Sequence, residues 1–297
     1  MIWSTGLPRC EIQKGDPCYP ALLAETCDAP DVLHVIGELD ALAPGLAVVG
    51  SRRATPYGLA AIDLLAGWAA SAGHTIISGG AVGCDQAAHR AALERDGRTV
   101  AVMAGGADVA YPRASGALLR EIALAGAVVS EHAWGTEPRK WAFRTRNRII
   151  AGLGAALLVA EAALPSGTFS TADYALDAGR TVLVVPGSIF SASSRGTNRL
   201  LAQGAVPITD PSELRLCLEP LLGCGLTELP DARREPPEAD PLLEALIADP
   251  MRPDDVARAF GMDVVTTMRR IGVLSAAGLV ERYRDGRYGV SRRYNRR

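Results

Sequence analysis

Between residues 46 and 188 the chain repeats one phrase six times: a short apolar run, a glycine or small polar turn, then a helical stretch. The runs are LAVVG (46–50), TIISGG (75–80), TVAVMAGG (99–106), AVVSE (127–131), AALLVAEA (155–162) and TVLVVPGS (181–188). None alternates apolar with polar residues, which is the pattern of strands buried on both faces. The stretches between them, such as YGLAAIDLLAGWAASAG, carry apolar residues at helical spacing. Strands alternating with helices specify right-handed βαβ units. The expected fold over residues 46–214 is therefore α/β, with a doubly wound, mostly parallel sheet. Ligands of such sheets lie beyond the carboxyl ends of the strands. Here those ends read Gly50-Ser51-Arg52, Ser78-Gly79-Gly80, Ser130-Glu131, Ser166-Gly167-Thr168 and Pro186-Gly187-Ser188. They form a rim of small polar loops suited to anions.

The first 45 residues show no motif of their own and read as a short, partly helical lead-in. The segment 215–239, which takes in most of LTELPDARREPPEADP, has the Pro and charge content of a linker. Residues 240–297 have another rhythm. PLLEALIAD reads as a helix, RPDDVARAFGMDVVTTMRRIGVLSAAG as two helices broken at Gly261, and LVERYRDGRYGV as two strands around an Asp-Gly turn. Three helices and a hairpin predict a small winged helix-turn-helix domain.

Composition narrows the class. A 48% apolar chain with 22% charged residues reads as soluble and globular, and a net charge of -2 leaves room for a local cationic patch but not a general polyanion coat. The six cysteines form no C-x-x-C pair and have no histidine at ligand spacing, so neither a metal nor a redox centre is expected. Arg9, Glu11, Lys14 and Asp16 interrupt any signal-peptide core. The longest apolar run, 149–160, is too short to span a bilayer. A reducing cytoplasm, with no membrane partner, is the expected setting.

The common nucleotide-binding fingerprints are missing: there is no G-x-G-x-x-G at the first helix, no Gly-Lys-Ser/Thr, and no G-x-S-x-G. Arg52 instead follows a strand directly, with a helix beginning near Thr55-Pro56. An arginine fork beside backbone N–H groups there suits phosphate, or is a surface residue in a tight turn. Ser166-Gly167-Thr168 repeats the theme, as a helix cap with or without a phosphate cradle. Asp85 and His89 share a helical face. They read as a cap and a packed histidine more readily than as an acid–base pair.

The segment RKWAFRTRNR (139–148) holds five cations, two aromatics and no acid. A helix so cationic around its circumference makes a poor core helix. Cations neutralise phosphates and aromatic faces stack on unpaired bases, so the pattern suits a single strand. Against this stand a solvated basic helix with two buried aromatics, and structural ion pairs to Glu131 or Glu161.

Together VVGSRRATPYG, SGGAVGCDQAAHRAAL, YPRASGALLREI, SEHAWGTEPRKWAFRTRNRIIAGL, VAEAALPSGTFSTADYAL and GRTVLVVPGS…SRGTNRLLAQGA resemble the DprA/Smf family of DNA-processing proteins. The resemblance runs from YPALLAETCDAPDVLHVIGEL through residue 214 and resumes in the C-terminal module. It implies a Rossmann-like domain without known enzymatic activity. It also implies binding and protection of single-stranded DNA, loading of RecA recombinase in natural transformation, and a homodimer formed through the sheet domain. The family's contact pattern maps onto Gly50-Ser51-Arg52 and onto Lys140 with Phe143. Gly79, Gly80, Arg146, Asn147, Arg148, Ser166, Gly167 and Thr168 complete the expected DNA- and phosphate-binding set, with no catalytic residue, metal or cofactor. The C-terminal domain is expected to touch duplex DNA through Arg269-Arg270, or a protein.

Two departures stand out. The family's usual arginine in the second loop is Val82 here, and its usual asparagine after Tyr111-Pro112 is Ser115. The family's longer helical N-terminal module is expected to be short or missing. The rival reading is a nucleotide-binding phosphoribohydrolase-like enzyme on a similar fold. SGTFSTADYAL is loosely like the loop of those enzymes, but lacks its glutamate and offers only Asp173.

Overall fold

The structure, a computed structural model, describes residues 3–4, 6–223, 240–283 and 285–291. The described chain divides into two compact units. The larger is built on a nine-stranded sheet. Its six central strands are those the apolar runs predict: β3 (Gly45–Val49), β4 (Thr75–Ser78), β5 (Thr99–Val102), β6 (Ala127–Ser130), β7 (Gly154–Val159) and β8 (Thr181–Val184). With β1 (Arg9–Gln13), β2 (Val32–Gly37) and β9 (Val206–Pro207), the order is β1-β2-β6-β5-β4-β3-β7-β8-β9. All neighbours from β6 to β9 are parallel, whereas β1–β2 and β2–β6 are antiparallel.

Helices cover both faces, as a fully apolar sheet requires. The chain winds through α2 (Pro56–Ser71), α3 (Cys84–Leu93) and α4 (Gly116–Ala125) while building β3 to β6. It then crosses over through α5 (Ala142–Leu153), and continues through α6 (Thr168–Asp177), α7 (Arg195–Ala202) and α8 (Pro211–Leu222). One core layer joins Ile149, Ile150 and Leu153 of α5 and Ala172 of α6 to Leu157, Val159 and Val184. The opposite layer joins Leu118, Leu119 and Ile122 of α4 to Ile36, Ala101 and Val128.

Three expectations need correction. The lead-in is not a separate, partly helical stretch: it supplies two strands to the sheet, with one short helix, α1 (Ala21–Ala24), between them. The sheet therefore begins before residue 46. The first part of the expected linker, up to Leu222, completes α8, whose start is capped by Asp210 accepting from the N–H groups of Ser212 and Glu213. The rest of that linker, 224–239, lies outside the described residues. Finally, α5 is a core helix despite its charge, burying Ala142, Ile149, Ile150, Ala151 and Leu153.

The C-terminal unit contains α9 (Pro241–Ala248), α10 (Pro253–Phe260), α11 (Val264–Ala276) and an antiparallel ribbon of β10 (Val280–Arg282) with β11 (Tyr288–Val290). Gly261 ends α10 in the left-handed region at φ 61°, where a side chain would be strained. The small core gathers Leu242, Leu243, Leu246, Val256, Ile271, Leu274 and Val280.

Between α3 and β5 lies a buried histidine with a fixed tautomer. The Thr99 hydroxyl donates to the Ile76 carbonyl at 2.8 Å, so its oxygen must accept from Nδ1–H of His89 at 2.7 Å. Nε2 is then the unprotonated nitrogen, buried with no partner. Protonating it would strand a charge, and burial pushes the imidazole down to about 3. A folded-state value below the unfolded one gives stability that is present above about pH 6.5 and is lost as pH falls towards about 3. Thermal melts across that window should show His89 contributing a loss of about 1.4 kcal/mol per pH unit. His89→Gln should melt lower at neutral pH but with a flatter acid limb.

Candidate nucleic-acid interface

The sheet's direction of growth reverses between β3 and β7. Successive strands run outward from β3 through β4, β5 and β6, then from β7 through β8. The loops after β3 and β7 diverge there and leave a crevice. The β3 loop is pinned on both sides. Ser51 N–H donates to the Glu161 carbonyl at 2.7 Å, and the Ser51 carbonyl accepts from Cys84 N–H at 3.1 Å. Gly50 is required by this closeness, since a Cβ would lie 2.6 Å from Cys84 Sγ. Packing thus holds the loop while Arg52 and Arg53 remain exposed.

Arg52 leans over the ring of Phe143, its Cζ 5.5 Å from the centroid. The Phe143 ring is 5.1 Å from that of Tyr111, tilted by 53°. Three segments meet in this group: the β3 loop, the loop after β5, and the first turn of α5. They carry the exposed cations Arg53, Arg113 and Arg144, and the loop leading into α5 adds Arg139 and Lys140. Trp141 is 59% exposed and meets His132 edge-on at 5.9 Å. A half-buried aromatic ring bordered by cations offers a π-face for a base and charges for the adjoining phosphates. Tyr111 was not among the expected site residues; its Tyr-Pro context reads as a turn, and only the fold brings it to Phe143.

The five cations of 139–148 divide by depth. Arg146 is only 4% exposed. Its guanidinium donates to the carbonyls of Gly79, at 2.6 Å, and Val102, which end β4 and β5. Burial pushes Arg146 down to about 10, opposed by the charge of Asp85. Burial pushes the Asp85 carboxyl up, opposed chiefly by Arg146. Gly79 is needed because a Cβ there would overlap this guanidinium. Arg148 grips Glu131 with both terminal nitrogens, at 3.0 and 2.6 Å, and reaches Asp28 at 3.2 Å. Asn147 donates to the Ser170 hydroxyl at 3.0 Å and so links α5 to α6. Arg146, Asn147 and Arg148, expected to face a ligand, each make their contacts within the protein. A cationic helix can sit in the core because these inward groups find carbonyl, carboxylate or hydroxyl partners.

The remaining expected residues lie on the rim. Gly79 and Gly80 are buried, Gly79 against the Arg146 side chain of α5. Ser166 accepts from Thr168 N–H at 3.2 Å and donates to its hydroxyl at 2.9 Å, leaving Gly167 exposed at the start of α6. Asp85 and His89 are both buried, as a packed histidine requires, but Asp85 does not cap the helix: Gly83 stands at the start of α3 without a side-chain cap, and the Asp85 carboxyl accepts from Ala81 N–H at 3.4 Å. Val82 is 54% exposed, so this position faces solvent with no charge to offer. Ser115 is buried and accepts from Gln86 at 2.8 Å. In the C-terminal unit Arg270 is paired with Asp240 at 2.9 Å, and α11 exposes Val264, Val265, Met268 and Val273 beside Arg269.

A model of the DNA recombination-mediator protein A family matches residues 11–219. The chain is 40% identical over 274 residues to Protein Smf of Escherichia coli, covering 88% of this chain and 72% of that protein. Its fold is similar to that of DNA processing protein A (DprA) from Streptococcus pneumoniae. The TM-score is 0.66, with 39% identity, over 71% of this chain and 74% of that one. It is also similar to DNA processing protein A from Helicobacter pylori, described for its unique single-stranded DNA binding mode. There the TM-score is 0.65, with 29% identity, over 74% of this chain and 98% of that one.

Removing a buried, partnered cation strands its acceptors and the Asp85 carboxyl. Arg146→Ala should therefore lower stability by about 3–5 kcal/mol in denaturant titration. The exposed neighbour Arg144→Ala should stay within about 0.5 kcal/mol of wild type.

Proposed function

The chain belongs to the DNA recombination-mediator protein A family, the DprA/Smf DNA-processing proteins, and from that premise we propose that it binds and protects single-stranded DNA and loads RecA recombinase onto it. The setting proposed is natural transformation and recombination in the cytoplasm, with the protein acting as a homodimer. Two copies would give two grooves and so greater avidity for a long strand. Among the described residues no helix is long and apolar enough to cross a membrane.

One observation carries the reading: Phe143 stands at the switch-point crevice with Arg52 over its ring and Tyr111 beside it, next to exposed Lys140. Phosphates lie against Arg52 and Lys140, and a base stacks on Phe143. The loops at Gly50-Ser51 and Ser166-Gly167-Thr168 bring backbone close to the strand, while Gly79 and Gly80 shape the floor through Arg146. Arg139 and Arg144 take the phosphate-facing role that the sequence assigned to Arg146 and Arg148. The role is binding rather than catalysis. The one carboxylate–imidazole pair singled out as a possible acid–base couple, Asp85 and His89, is sealed in the interior.

The C-terminal unit reads as a winged helix that contacts protein. Its third helix presents Val264, Val265, Met268 and Val273, whereas a duplex-reading helix needs cations and amides facing the groove. Arg270 is already tied to Asp240.

Fluorescence anisotropy with labelled oligo-dT and a matching duplex, over a salt series, tests the reading. Wild type should prefer the single strand. Lys140→Ala should weaken binding with a log–log salt slope shallower by about 0.7. Phe143→Ala should cost about 1–3 kcal/mol with the slope unchanged. Absent or duplex-only binding defeats the proposal. Restoring a cation on the second loop, by Val82→Arg, should tighten binding and steepen the slope by about 0.7.

A further inference from the structure

The loop after β8 lies on the same carboxyl rim, on the far side of the switch point from Phe143. It holds Ile189 and Phe190, which are 77% and 90% exposed. Single exposed apolar residues are ordinary. Two in succession, on a loop held by its own hydrogen bonds, are less so. Gly187 and Asn198 exchange a pair of bonds, N–H to Oδ1 at 3.3 Å and Nδ2 to the carbonyl at 3.0 Å. Phe190 N–H donates to the Ser188 hydroxyl at 3.2 Å, Ser191 N–H to the Ser188 carbonyl at 3.1 Å, and Ser194 N–H to the Ser191 carbonyl at 3.2 Å. The backbone is thus fixed while the ring is presented to solvent.

We propose that Phe190, with Ile189 beside it, is a second stacking platform for single-stranded nucleic acid, extending the strand's path from Phe143 across the switch point to the carboxyl end of β8. The inference rests on the reading of the Phe143 crevice as a single-strand site.

Three features of the rim favour a nucleic-acid strand over an apolar protein surface as the occupant. The first is charge. No acidic residue occurs between Asp177 and Asp210, while Arg195 and Arg199 are exposed on the helix that follows the loop. The second is reach. The β3 loop, whose Arg52 covers Phe143, lies two strands from β8 in the sheet, about 10 Å at the usual spacing, within the span of a few nucleotides. The third is the intervening surface. Between the two aromatics comes the β7 loop, where Ser166 and exposed Gly167 present backbone to a passing strand beside the exposed Leu164. A phenylalanine at each end, with Ser166 and Gly167 between them, matches a strand whose bases stack at intervals.

The test is binding of wild type, Phe190→Ala, Phe190→Trp and Phe143→Ala to oligo-dT from about 3 to about 12 nucleotides, a range bracketing the usual site size per fold. Phe143→Ala should weaken binding at every length. Phe190→Ala should match wild type on the shortest strands and fall at least about five-fold below it on the longest. Phe190→Trp should restore the long-strand affinity. Because the ring is exposed, the melting temperature of Phe190→Ala should equal that of wild type. If Phe190→Ala follows wild type at every length while Phe143→Ala does not, the second platform is wrong and the first stands. The second platform is likewise overturned by an equal Phe190→Ala deficit at every length. If Phe143→Ala binds all lengths like wild type, the underlying reading fails and the inference falls with it.

Discussion

The Arg146 guanidinium, donating to the carbonyls that end β4 and β5, is the contact on which the candidate site depends. A strand's last carbonyls need partners once they are covered, and here a side chain from α5 provides them. That bond sets the depth at which α5 sits against the sheet. Phe143 lies three residues earlier on the same helix, nearly one turn back, and so is brought over the sheet's edge to meet Arg52 and Tyr111. The asymmetry of buried charge matters here. The pair with Asp85 adds little net stability against an apolar replacement, but losing one member is costly. The interaction therefore serves position more than stability.

The same helix shows how a chain of net charge -2 makes a cationic patch. Arg148 is neutralised by Glu131 and Asp28, and Arg146 sits against carbonyls with Asp85 nearby. The inward cations are thus compensated locally, and those at the helix start, Arg139, Lys140 and Arg144, remain exposed. A cluster that looks uniform along the sequence becomes a gradient from paired charge in the middle of α5 to solvated charge at and before its start. Counterion release depends only on charges that reach solvent, so the number of basic residues in the segment overstates what a polyanion meets.

Much of the fold was legible because strands buried on both faces have an unmistakable composition. β3 to β8 all appear where Val, Ile and Leu accumulate. β1 escaped notice for the opposite reason. It is an edge strand with Arg9, Glu11 and Gln13 on its more exposed positions, and charged edges are how sheets avoid further pairing. The site was legible in part. Arg52, Lys140 and Phe143 stand at or near the surface, where their residue types suggest. Arg146, Asn147 and Arg148 do not, because what decides their fate are partners 17 to 120 residues away in sequence. Tyr111 was hidden by its neighbour: before a proline it reads as a turn residue, and its contact with Phe143 exists only once β5 and α5 are placed.

What the rim leaves unused bears on the kind of recognition it can support. Side-chain amides read base edges, yet those along this edge are engaged internally. Asn147 is bonded to Ser170, Gln86 to the Gly80 carbonyl and Ser115, and Asn198 to Gly187. The groups left exposed are guanidinium and ammonium ions, aromatic rings and small loops. Cations report only that a phosphate is present, and a ring face accepts any base. Under the proposed function, such a surface distinguishes an unpaired strand from a duplex, since only the former can splay its bases onto Phe143. It has little means of telling one sequence from another, as the proposed binding of strands of arbitrary sequence requires.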